Sequence, residues 1–337
     1  MRSTTHPPSS VRSHVLVTGG AGFIGSHLVE RLLADGANVV VIDDCSTGSL
    51  ENLRAVRSHS NLRVIESRIS GCEELLELVS NAESIFHLAA AVGVDLVLSS
   101  PVRSLQTNLR ETEVLLEAAS RRAVPLLLAS TSEVYGKSRK EAFSEGNDLL
   151  IGPPHFGRWG YACSKLMDEF LALAYASEKG LPVVIARLFN TVGPRQTGRY
   201  GMVLPRFIAA AKASQPLRVF GDGSQTRCFC YVLDAVEALV RLQSCPAARG
   251  QIFNVGATEE ISIRALAEKV IQATASQSKI ELVPYQKAYP AGFEDMQRRR
   301  PVVSKLEAAI GFRPATSLAR IIELTAAVEG KNRINPC

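Results

Sequence analysis

What this sequence lacks narrows it first. No apolar run approaches the ~20 residues that cross a bilayer, so no membrane partner is expected. Residues 1–12 are rich in Ser, Thr and Pro and hold no apolar core, which predicts a disordered tail rather than a signal peptide. Excess charge is missing too: 38 Lys+Arg against 33 Asp+Glu leave only +5. The one dense basic run, Arg298-Arg299-Arg300, has no helix-turn-helix, zinc-finger or RNA-binding signature beside it, which excludes a nucleic-acid partner. No metal pattern is present either. Cys228 and Cys230 have the spacing of half a site, but no second Cys/His pair matches them. On one strand their side chains would share a face as two small buried residues. The seven cysteines are odd in number and sit mostly in apolar segments, which fits a reducing, cytoplasmic setting rather than a disulfide framework.

What is present is an ordinary globular chain, 46% hydrophobic and 21% charged, long enough at 337 residues for one large α/β unit or two closely shared domains. Continuous apolar runs at 14–18, 37–43, 62–66, 84–88, 124–130 and 183–189 predict buried strands. Helical periodicity at 23–34, 73–79, 101–120 and 161–177 fills the gaps between them. Such alternation predicts a doubly wound parallel sheet with right-handed crossovers. After Asn190 the texture changes to a Gly/Arg/Pro loop at 193–201 and mixed short elements, with helices at 203–214, 233–242, 263–274 and 318–328. The simplest division is a nucleotide-binding domain over 13–189 and a smaller lobe over 190–330. Part of the lobe, near 225–257 and including the strand-like run 251–255, returns to the main sheet.

The turn from the first strand into the first helix reads Gly19-Gly20-Ala21-Gly22-Phe23-Ile24-Gly25. Glycines at 19, 22 and 25 permit a tight turn, let a pyrophosphate approach the backbone and pack helix against sheet; the helix N-terminus offers N–H donors and a positive dipole. The second strand ends in Asp43, at the distance where a carboxylate takes both ribose hydroxyls of a dinucleotide. That charge repels a 2′-phosphate, so NAD is expected over NADP.

Tyr161 and Lys165 stand four apart on a predicted helix, one turn from each other on one face. A nearby cation lowers the cost of ionising a phenol, which makes Tyr161 a candidate general base. The run Ser130-Thr131-Ser132-Glu133 ends a buried strand at the edge where parallel sheets place reacting groups.

Together these residues resemble the extended short-chain dehydrogenase/reductases that modify nucleotide-diphosphate sugars. The resemblance runs from His14 to about Val328 and rests on TGGAGFIG (18–25), IDDCSTG (42–48), HLAA (87–90), STSEVYG (130–136), YACSK (161–165), RLFNTVGPR (187–195), GDGSQTR (221–227) and RRRP (298–301). It implies a Rossmann sheet with a smaller C-terminal substrate-binding lobe, NAD as cofactor, an NDP-sugar (UDP-sugar foremost) as substrate, and a homodimer. Gly19, Gly22, Phe23, Ile24, Gly25, Asp43, Asp44, Ser46, Gly48, Leu88, Ala89, Ala90 and Leu188 would line the cofactor, with Tyr161 and Lys165. Thr131, Tyr161 and Lys165 would form the catalytic triad, with Ser132 and Glu133 beside it. Tyr161 would take the proton of the sugar 4-hydroxyl as C4 passes hydride to NAD, leaving a 4-keto sugar. Asn190, Arg227 and Arg299 would hold the diphosphate, where forked guanidinium groups suit phosphate oxygens. Val203, Leu204, Val219 and Phe220 would form the base pocket, and Arg298 and Arg300 would be surface charge. Two positions depart from the pattern: Arg68 stands where the family has an aspartate accepting from the adenine amino group, and Val302 follows Pro301 in place of Asp.

The 4-keto sugar can take three paths. Dehydration needs an acid at 132 to protonate the leaving hydroxyl, and Ser132 is not one. Decarboxylation of a hexuronate is implied by the resemblance of STSEVYG, of the approach from Gly152-Pro153 to Arg158-Trp159-Gly160-Tyr161, and of Arg227-Cys228-Phe229 to UDP-glucuronate decarboxylases. Epimerisation at C4 is favoured by the small-residue loop around Gly93 and by Val97, where the decarboxylases carry a tyrosine. No extra cation stands in that loop for a substrate carboxylate. The sequence therefore places a 4-epimerase first and a UDP-glucuronate decarboxylase second. A dinucleotide-sensing regulator would not need Tyr161 and Lys165, and a hydroxysteroid dehydrogenase would want an apolar lobe instead of paired arginines.

Overall fold

In the computed structural model, which describes residues 13–91, 100–198, 202–288 and 296–328, the apolar runs become strands, and the central ones are buried on both faces. β1 (His14–Thr18) and β2 (Val39–Asp43) are buried at every residue. A strand of that kind needs cover above and below. Seven parallel strands form the main sheet in the order β11-β6-β5-β4-β1-β2-β3, with β3 (Leu62–Glu66), β4 (Ala82–His87), β5 (Leu126–Thr131), β6 (Val183–Leu188) and β11 (Gln251–Val255). Val15, Val17, Val39 and Val41 pack on one face under α1 (Phe23–Ala34), α6 (Val232–Gln243) and α9 (Ser304–Ile310). Leu16, Val40, Ile42 and Ile85 pack on the other, under α2 (Leu75–Ser80), α3 (Pro101–Ser120) and α4 (Trp159–Lys179). Each fully buried Val, Leu or Ile side chain contributes about 1.5–3 kcal/mol over an exposed one. The sheet is the doubly wound one that the alternation predicts. Its order reverses at β1, which lies between β4 and β2, and this opens a crevice beyond the strands' carboxyl ends.

The smaller lobe has its own core of Leu204, Phe207, Leu217, Val219, Leu266 and Ile321. α5 (Val203–Lys212), α7 (Ile263–Ala273) and α10 (Leu318–Val328) enclose it, with the short α8 (Tyr285–Ala288) at its edge. Three two-stranded pieces complete it: β8 (Leu217–Phe220) with β13 (Ile280–Val283), β9 (Thr226–Cys228) with β12 (Glu260–Ser262), and β7 (Thr191–Val192) with β10 (Cys230–Tyr231).

Cys228 and Cys230 do not share one strand. The chain changes partner between them, so Phe229 enters the lobe core while Cys230 enters the main core, and two-residue alternation is lost at the crossing. Among the described residues no helix is long and apolar enough to cross a membrane, and no group of three or more His, Cys, Asp or Glu side chains could hold a metal. Residues 1–12, Gly93 and Val97 lie outside the described residues.

Candidate active site

The crevice at the switch point is a cleft of about 550 Å³ between the sheet and the lobe. Its first wall is the glycine turn. Gly19 has φ +74°, and a Cβ there would sit 2.7 Å from the Ala89 nitrogen; a Cβ at Gly25 would sit 2.0 Å from the Gly19 carbonyl oxygen. Only bare backbone fits where α1 lands on β1 and β4. The first turn of α1 holds no acidic side chain, so its N–H groups keep their positive character. Asp43 is fixed at the end of β2: its Oδ2 accepts from the Ala21 N–H at 2.8 Å and its Oδ1 from the Cys45 N–H at 2.9 Å. Burial pushes its pKa up, and those backbone donors oppose the rise. Gly19, Gly22, Phe23, Ile24, Gly25, Asp43, Asp44, Ser46, Gly48, Leu88, Ala89, Ala90 and Leu188 all line the cleft. Bare glycine backbone, a helix N-terminus and a ribose-directed carboxylate in one groove fit a dinucleotide.

Farther along, Thr131 at the end of β5 and Tyr161 in the first turn of α4 share a hydrogen bond. Beside them Glu133 is clamped. Its Oε2 lies 3.3 Å from Arg158 Nη2, and Arg299 Nη2 closes on its Oε1. Burial disfavours ionisation of Glu133, but Arg299, Arg158 and Arg227 outweigh it and hold its pKa below the ordinary carboxylate value. Ser132 and Glu133 line the cleft together with Asn190, Arg158, Arg227 and Arg299. Arg227 is further braced by its own Nη1, which donates to the Thr226 carbonyl at 2.7 Å.

Two of the expected site residues do not line the cleft. Lys165 does not line the cleft beside the Tyr161 phenol. Its Nζ pairs at 2.8 Å with Asp168 Oδ2, and both side chains are buried. The helix offered Lys165 a neighbour at i+3 as well as one at i−4, and the carboxylate holds the ammonium. The phenol is accordingly not eased toward ionisation here. Burial raises its pKa, Glu133 and Asp168 raise it further, and the Thr131 hydrogen bond and Arg299 only partly offset them. Val219 does not line the base pocket either: alternation along β8 sends it into the lobe core and turns Phe220 to the cleft with Val203 and Leu204. Arg206 lies over the Phe220 ring at 4.3 Å, and Gln225 and Tyr285 complete that end.

Three groups at the site had no role assigned to them from the sequence, although Arg158 stood within the run leading to Tyr161. Arg158 stands one helical turn before Tyr161, a spacing that could have flagged it. Asp168 had only its i+3 relation to Lys165. Glu111 had no local signal: its partner Ser70 is 41 residues away, and Glu111 lines the cleft where it passes Arg68 and Ile69. Arg68 itself points to Asp44, Nε to Oδ2 at 3.5 Å.

A family model described as the NAD dependent epimerase/dehydratase family matches residues 15–256. The UDP-N-acetyl-alpha-D-glucosaminuronate decarboxylase of Bacillus cytotoxicus is 42% identical over 308 residues, 91% of this chain and 94% of that protein. UDP-glucuronic acid decarboxylase 1 of Danio rerio is 36% identical over 310 residues, 91% of this chain and 70% of that one. Among solved structures, the UDP-glucuronic acid 4-epimerase of Bacillus cereus, in complex with UDP-glucuronic acid and NAD, superposes with a TM-score of 0.84 at 28% identity, covering 94% of this chain and 99% of that one.

Proposed function

The chain belongs to the NAD-dependent epimerase/dehydratase family, and from that premise we propose that it decarboxylates a UDP-hexuronate to the corresponding UDP-pentose. The observation that carries this reading is the Glu133 cluster, in which Arg158 and Arg299 pair with one carboxylate beside Tyr161, in a cleft that Arg227 also lines. Three cations against one anion suit a substrate that brings a carboxylate as well as a diphosphate. The decarboxylases of Bacillus cytotoxicus and Danio rerio, both similar to this chain, support the same order, which reverses the preference drawn from the loop around Val97.

Bound in the cleft, NAD supplies a hydride acceptor that is later a hydride donor, and a positive charge that favours the phenolate. Tyr161, hydrogen-bonded to Thr131, takes the proton of the sugar 4-hydroxyl as the C4 hydride departs. The C6 carboxylate is now β to a ketone, and the C5–C6 bond breaks to release CO2. Its electron pair becomes an enolate at O4, against the hydroxyls of Tyr161 and Thr131. Arg158 and Arg299, the latter paired with Glu133 and so given this role in place of the diphosphate contact expected of it, meet the C6 carboxylate before it leaves, and Glu133, ionised between them, limits how tightly they hold it. C5 then takes a proton from water, hydride returns to C4, and Tyr161 gives its proton back to O4. Val102, Met167 and Phe170, exposed on α3 and α4, support a homodimer built through those helices.

Incubation with UDP-glucuronate and UDP-N-acetylglucosaminuronate in heavy water tests the reading. The product is expected to be lighter by one CO2, to carry one deuterium at C5, and to form without net NADH. The second reading, 4-epimerisation, has the likeness to the UDP-glucuronic acid 4-epimerase in its favour. A product of unchanged mass inverted at C4, with no deuterium, would establish it instead.

A further inference from the structure

Past Asp43 the cleft runs between the turn after β3 and the side of α3, and a carboxylate lies in its wall there. Glu111, on α3, is 7% exposed and lines this stretch with Ser67, Arg68, Ile69 and Thr107. Its Oε2 accepts from the Ser70 N–H at 2.8 Å and its Oε1 from the Ser70 hydroxyl at 2.7 Å. Two donors fix the carboxylate but leave a lone pair on each oxygen. Arg68, the nearby cation in the same wall, is turned to Asp44. A buried carboxylate on a ligand cleft, held in place and without an ion pair among the described residues, favours a ligand that brings a hydrogen-bond donor.

The ligand geometry supplies that donor. A carboxylate at the end of the second strand takes the ribose, so the attached base lies beyond it, away from the glycine turn. Adenine has one exocyclic donor, its 6-amino group. We propose that Glu111 accepts a hydrogen bond from the adenine amino group of NAD and thereby selects adenine over a 6-oxopurine. The proposal rests on NAD occupying this cleft. It assigns Glu111 a ligand contact in addition to its anchoring of Ser70.

Calorimetric titration of dinucleotide-free protein with NAD and with nicotinamide hypoxanthine dinucleotide separates the two roles. Hypoxanthine replaces the amino group by a carbonyl oxygen that faces the carboxylate. The wild-type protein should bind NAD about tenfold or more tightly than the analogue, the size of a hydrogen bond to a charged group. Glu111→Gln offers an amide donor to the carbonyl and should bring the two affinities to within about threefold. Ser70→Ala, which loosens the anchor and keeps the acceptor, should retain the preference. Equal affinities in the wild type, or a Glu111→Gln variant that weakens both ligands by one common factor, would overturn the proposal and leave Glu111 a structural anchor. Failure of NAD itself to bind would strike the cofactor assignment instead. The wild-type comparison requires no variant to fold.

Discussion

Glu133 sets the charge of the site around it. Its pKa is depressed despite burial, because Arg299 and Arg158 pair with it and Arg227 adds a further positive charge, and it in turn raises the pKa of Tyr161. Replacing it by glutamine should therefore move the Tyr161 titration to lower pH. Tyrosinate absorbance against the Tyr161→Phe variant, itself expected to be inactive, would show the shift; a titration that stays put or rises would refute this coupling. Uncompensated guanidiniums should also cost about 3 kcal/mol of stability. The sign with pH follows from the depressed value: the unfolded chain binds the proton first, so Glu133's contribution is present above its ordinary pKa of 4.5 and is lost as pH falls through the folded value. A glutamine there should flatten that part of the stability profile.

At the scale of elements, His87 ties three together. It ends β4, and its ring lies between Thr18 Oγ1 of β1 at 2.7 Å and Thr112 Oγ1 of α3 at 3.0 Å. Burial, with repulsion from Lys165, pushes its pKa down to about 3 from 6.5. Between those values the unfolded chain binds a proton that the folded one refuses, so stability falls as pH drops through the window. The loss is on the order of 3 kcal/mol by about pH 4. His87→Gln should remove this slope, as urea unfolding at neutral and acid pH would reveal; an unchanged slope would place the acid sensitivity elsewhere. The elements themselves were largely legible. β1, β3 and β11, and helices α1, α3 and α10, run over the residues their apolar periodicity predicts, because strong breakers or caps bound them. The parts of the site that local pattern could not reveal depend on choices between near-equal neighbours. Lys165 could face Tyr161 or Asp168, β8 could present Val219 or Phe220, and Glu111 meets Ser70 only once α3 is docked. Tertiary packing decides all three.

For the molecule as a whole, the break at Asn190 is one of texture and not of folding unit. β11 pairs with β6 throughout its length, and Ala235, Val236, Leu239 and Leu242 of α6 share a core with Leu28 and Val29 of α1. A fragment stopping after residue 190 should lack cooperative unfolding in urea; a sharp transition from that fragment would show the first half to be autonomous. The same topology fixes an order of events on the ribosome. β6 leaves the exit tunnel with its edge bare, and it waits for β11 while the residues between them are made, several seconds at ~5–20 residues per second. Arg299 emerges later still. A nascent chain thus displays a sticky sheet edge before it owns the guanidinium that completes the Glu133 clamp. Its yield in a cell should then depend on chaperone supply and translation speed across that interval more than on the stability of the finished protein.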